Sequence, residues 1–171
     1  MKYFKLYEQH NIESIMSSDD NAVEYLKSID FFESHGYEED DYVILDNIYD
    51  IIEIYKSIDE NITIHRAMKA PSVDDIDFSQ TGYFWSFKRD GVGTYDAGSM
   101  NDFNQKWDSS TAKTIVLTAT THKDNISWLD TLVANAIYGE EQSECYLTKG
   151  SDITITHIDD SILESPINAK S

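Results

Sequence analysis

The stretch NITIHRAM, residues 61–68, is where the chain changes character. Ile62, Thr63 and Ile64 form a β-branched run of strand type. The residues before it read as helix. Asp19, Asp20 and Asn21 mark a helix start, and Ala22, Tyr25, Leu26, Ile29 and Phe32 continue at helical spacing until SHGYEEDD ends the run. A second helix is expected over about residues 46–57, with Leu45, Ile48, Ile51, Ile52, Tyr55 and Ile58 on one face. The residues after it read mainly as strand. GYFWSFKR (82–89) alternates Tyr83, Trp85 and Phe87 against Phe84 and Ser86, and KTIVLTATT (113–121) is a further strand. NISWLDTLVANAI (125–137) carries Ile126, Leu129, Val133 and Ile137 on one side and reads as a short helix. ECYLTKGSDITITHI (144–158) reads as two strands around a turn at Lys149, Gly150, Ser151 and Asp152. Helices first and strands afterwards predict an α+β fold. The 171 residues fit a single domain: a helical part (1–60), a β-rich core (61–158) and a patternless tail (159–171).

Composition narrows the function classes. With 40% hydrophobic residues the chain has material for a core. No stretch approaches the ~20 apolar residues of a membrane span. The first residues lack the apolar run and cleavage site of a signal peptide. Cys145 is the only cysteine, which excludes an internal disulfide framework and fits a reducing, cytoplasmic setting. The net charge is −19, and residues 1–60 hold 16 of the 32 acidic residues but only 4 of the 13 basic ones. Such a field repels phosphate backbones. It fits either a highly soluble surface or a polyanion mimic that occupies a nucleic-acid-binding partner. His10, His35, His65, His122 and His157 are scattered without metal-ligand spacing, and the acidic runs match no calcium loop.

Four features carry candidate chemistry. Arg66 presents a guanidinium fork suited to a ligand phosphate or carboxylate, or to a salt bridge within an acidic protein. Ser86 is a lone hydroxyl among Tyr83, Phe84, Trp85 and Phe87, either an orienting group or a small core residue. The segment after it holds Lys88, Arg89, Gly91, Gly93 and Tyr95, which could close over an anion but matches no phosphate-loop fingerprint. In YGEEQSECYL (138–147), strand alternation places Gln142 and Glu144 on one side. A carboxylate there can stabilise positive charge developing on a sugar, or it is solvated acidic surface.

In this order the four features resemble the ADP-ribosyltransferase family, in the Arg, Ser-strand and Gln-x-Glu branch of exoenzyme-like and other bacterial or phage mono-ADP-ribosyltransferases. ITIHRAM resembles the strand ending in arginine, YFWSFKRD the aromatic-Ser strand, and QSECYLTKGSDITI the (Gln/Glu)-x-Glu strand. AIYGEE resembles the substrate-recognition loop. The likeness spans about residues 61–158. Where the family often shows Ser-Thr-Ser, this chain has Ser86, Phe87 and Lys88, so only the first serine matches.

The resemblance implies a mainly antiparallel split β-sheet core preceded by helices. It implies transfer of ADP-ribose from NAD to a macromolecular acceptor with release of nicotinamide and no metal. Arg66 would hold the phosphates and nicotinamide ribose, and Ser86 would hydrogen-bond Glu144. Glu144 would bind the ribose hydroxyl and stabilise the oxocarbenium-like transition state. Gln142 would orient the accepting nucleophile, with Tyr138 beside it in the recognition loop. Phe87 or Tyr95 would stack on nicotinamide, and Lys88 and Arg89 would neutralise the pyrophosphate. Gln142 resembles members that modify asparagine, glutamine or guanine. The acidic field favours a protein acceptor, a basic one included, over nucleic acid. The competing expectations are an NAD glycohydrolase and a non-enzymatic acidic inhibitor of a basic or nucleic-acid-binding protein. A small, acidic, Tyr-rich chain also suits a phage or bacterial effector or toxin acting in a host cytoplasm.

Overall fold

Ser18 starts the first long helix: its hydroxyl accepts the Asn21 N–H at 3.2 Å, and Asp19 and Asp20 complement the helix N-terminus. This computed structural model describes residues 11–89 and 113–161. Helix α1 is Asp19–Ser28 and α2 is Phe31–His35. The sequence predicts one helix through Phe32, but Asp30 adopts a left-handed backbone (φ 55°) that splits it in two. Helix α3, Tyr42–Ser57, begins four residues before its expected start. The reason is Asp41, whose carboxylate accepts the N–H groups of Val43 (3.0 Å) and Ile44 (3.3 Å). A cap hidden in the run Glu38-Glu39-Asp40-Asp41 looks like one more acid in the sequence. Ile44, Ile48, Ile51 and Ile52 then bury one stripe.

The strands are β1 (Asn61–Ala70), β2 (Phe84–Ser86), β3 (Lys113–His122), β4 (Glu144–Tyr146) and β5 (Ile153–Asp159). They form one antiparallel sheet in the order β4-β2-β1-β3-β5. The fold is α+β, as the pattern predicts. Within the described residues the sheet is continuous, where the resemblance implies a split one. β1 and β3 pair over their full ten residues. β2 is much shorter than the run 82–89 suggested. The largest correction concerns β4 and β5. They flank the expected turn, with Gly150 at φ 80°, but they do not pair with each other. β4 joins β2 and β5 joins β3, at opposite edges of the sheet. Alternation in each strand is satisfied equally well by either partner, so the pattern could not choose between them.

One face of the sheet supplies Ile64, Met68, Trp85, Ile115, Leu117, Ala119 and Cys145 to a core shared with Leu26, Phe31 and the isoleucines of α3. Helix α4, Trp128–Gln142, packs on α3 and on β4. The face the sequence suggested packs against the core only in part, with Ile126 just before the helix buried. Leu129, Val133 and Ile137 are half-buried, while Trp128, Thr131, Leu132, Asn135 and Ala136 are buried. The spacing is helical, but two polar residues sit in it and disguise it.

Candidate functional site

Residues directly opposed on antiparallel strands point to the same side of the sheet. Ser86 opposes Glu144, His65 opposes Ser86, and Thr118 opposes His65. Glu144, Ser86, His65 and Thr118 therefore form a polar row across β4, β2, β1 and β3. The row lies on the face away from the hydrophobic core. Trp85 and Cys145, the opposed pair beside it, turn into that core and are 1% and 0% exposed. Burial pushes the Cys145 thiol up, so it stays protonated.

The row is enclosed at its Glu144 end, while His65 and Thr118 are half-buried. Glu144 is 8% exposed and Ser86 is fully buried. The Ser86 hydroxyl donates to Lys88 O (2.8 Å) and accepts from Lys88 N–H (3.1 Å), which fixes the chain as it leaves β2. Tyr146 lies two residues beyond Glu144 on the same side, and Phe84 meets its ring edge-on at 4.8 Å. Burial first, then hydrogen bonding to Glu144 and that carboxylate's charge, raises the Tyr146 phenol. Tyr146 thus stays protonated beside Glu144.

The other candidates divide. Arg66 comes directly after His65 along β1, so alternation turns it to the opposite side of the sheet from Glu144. It is 5% exposed, its guanidinium donates to Phe84 O, and it lies against Gly82. Gly82 has φ 74°, and a Cβ there would come within 3.1 Å of Arg66 Nη2. Arg66 thus braces the approach to β2 from behind. Phe87 is likewise on the core side and stacks on Trp128 with centroids 6.0 Å apart. Gln142 ends α4 and Ser143 is left-handed (φ 45°), so strand alternation begins at Glu144 and does not link Gln142 to it. The side chain of Gln142 lies outside the described residues, as does Tyr95. Tyr138 is 50% exposed. Lys88 and Arg89 are exposed. Arg89 pairs with Asp159 of β5 and acts on His65, which places it over the Glu144 side.

Sequence reasoning passed over His65 as one scattered histidine. Its position directly before Arg66 shows only that the two take opposite faces; the register of β1 against β2 puts His65 on the face of Ser86. Its Nδ1 bonds Thr118 Oγ1 at 3.0 Å. Burial first, then the charge of Arg89, holds its pKa below the ordinary histidine value. A lowered pKa favours the neutral ring in the folded state. The resulting stability is present above the unfolded-state value of ~6.5 and is lost as pH falls below it. His65→Gln should therefore lose less thermal stability than the wild type between pH 7 and pH 5; equal losses would contradict this.

A groove of about 450 Å³ lies between residues 78–83 and the connection from β4 to β5. Tyr83 and Leu147 line it and Glu144 does not. Among the described residues no cluster of His, Cys, Asp or Glu could hold a metal ion, and no helix is long and apolar enough to cross a membrane. Comparison with protein-family models, curated proteins and solved structures finds no match.

Proposed function

We propose that the chain is a mono-ADP-ribosyltransferase using NAD, with Glu144 as its reacting carboxylate. The observation that carries this reading is the pairing of Ser86 with Glu144 on adjacent strands, both enclosed on one side of the sheet. In the proposed reaction the bond between nicotinamide and the ribose anomeric carbon breaks, and the electron pair leaves with nicotinamide. Glu144 holds the ribose hydroxyl and stabilises the positive charge on the sugar. An acceptor nucleophile then bonds to the anomeric carbon and gives up its proton. The enclosed setting supports the reading, because a carboxylate acts more strongly on developing charge where water is excluded.

Two roles in this proposal differ from those the resemblance implies. Arg66 supports β2 from the far side, so Lys88 and Arg89 take the pyrophosphate. His65 takes the β1 place in the row. The acceptor is proposed to be a protein side chain, read by Gln142 and Tyr138. The test is incubation of the protein with adenine-labelled NAD and a cell lysate. Labelled protein, together with released nicotinamide, is expected. Nicotinamide release without labelled macromolecule would make it a glycohydrolase, and no release at all would sink the enzyme reading.

A further inference from the structure

We propose that Thr131 and Asn135 are positioning residues for Glu144; the inference rests on reading Glu144 as the reacting carboxylate. β4 has three residues, and β2 pairs with only one of its edges. On the other edge, Tyr146 N–H donates to Thr131 Oγ1 at 3.1 Å. Asn135 Nδ2 donates to Glu144 O at 2.7 Å. Ser127 N–H, just before α4, donates to Tyr146 O at 2.7 Å. Two helix side chains and one backbone amide thus stand where a further strand would otherwise lie.

Thr131 and Asn135 are one helical turn apart, and their side chains are among the least favoured in a buried helix face. Thr131 is fully buried and Asn135 is 4% exposed, with Asn135 Nδ2 also donating to Thr131 O at 2.7 Å. Buried polar groups of this kind are costly unless satisfied. Their neighbours on that face, Trp128, Leu132 and Ala136, are apolar. The two exceptions are the residues that hold β4. Asn135 grips the carbonyl of Glu144 itself, while the chain just after β2 holds the residue before it, Phe87 N–H donating to Ser143 O at 2.8 Å, so the start of β4 is fixed from both edges. A reacting group displaced by 1 Å can lose on the order of 10²-fold in rate.

The test uses the full chain and monitors nicotinamide release from NAD. Thr131→Val keeps the shape and removes the acceptor; Thr131→Ser keeps the acceptor; Asn135→Asp keeps the shape and removes the donors. Thr131→Val and Asn135→Asp are expected to lower kcat about 10-fold or more while KM for NAD stays within about twofold. Thr131→Ser should restore wild-type kcat. Thermal melts establish that each variant is folded at the assay temperature, and the Val/Ser pair decides alone should Asn135→Asp not fold. Wild-type kcat in Thr131→Val, equal loss in Thr131→Ser, or an effect confined to KM would overturn the inference. Amide exchange at Tyr146 separates this from failure of the enzyme reading. Faster exchange there in Thr131→Val than in Thr131→Ser supports the clamp even in a protein that turns nothing over, and equal exchange overturns it.

Discussion

Glu144→Gln should leave the fold intact and reduce nicotinamide release by about 10²–10³-fold, the loss typical when one preorganised electrostatic group is removed from a reaction centre. The amide matches the carboxylate in size, so the pairing with Ser86 and the bond from Asn135 to the Glu144 carbonyl both persist. In the proposed reaction, what disappears is the negative charge facing the sugar as nicotinamide leaves. Burying a neutral amide is also cheaper than burying an ion, so the thermal midpoint should stay level or rise. Release kinetics and a melt on the same preparation give both halves of the result. Activity within tenfold of wild type would remove Glu144 from the reaction, whatever the fold does.

Gly139→Ala should be the most damaging single-methyl change near the site, at about 2–4 kcal/mol. Gly139 sits inside α4 at φ 61°, ψ −153°, a region closed to most L-residues. A Cβ there would run into the side chain of Asn47, 2.8 Å from its Cγ. Asn47 cannot retreat without giving up its bond to Ala136 O at 3.1 Å, the link between α3 and the end of regular α4. Gly36→Ala is the control. It too has a left-handed backbone (φ 74°), but a Cβ there meets open space, so about 1–2 kcal/mol of backbone strain is its whole cost. Denaturant titrations that give equal losses for the two would rule out the Asn47 contact as the cause.

The α+β order was legible in the chain because it rests on local pattern and chain order, and Ser86 and Glu144, singled out on two separate strands, do come to oppose each other. The helix of residues 125–137 was legible as a helix, but its inward face only in part. Thr131 and Asn135 look solvent-bound by type, yet they are buried against β4, which follows their own helix after one residue and runs back along it, a contact that helical periodicity does not encode. The pairing of β5 with β3 was invisible for a related reason: a strand's alternation fixes its faces and leaves its neighbours open. The side of the sheet that Arg66 takes turned on a single step of register. With His65 opposite Ser86, the adjacent arginine turns to the far side, and no property of ITIHRAM alone says which of the two faces Glu144.

The unequal strand lengths have a further consequence for how the molecule breathes. β1 and β3 hold each other over ten residues, while β2 and β4 contribute three each. Opening free energies within one protein run from near zero up to the global value, and short, lightly paired segments lie at the low end. Because β4 is also held by α4, the weak seam is the single register pair that joins β2 to β1, and that seam can part transiently while the long ladder stays closed. In the proposed reaction, the enclosed Glu144 can then meet its substrate through a local fluctuation, on a scaffold that never has to unfold.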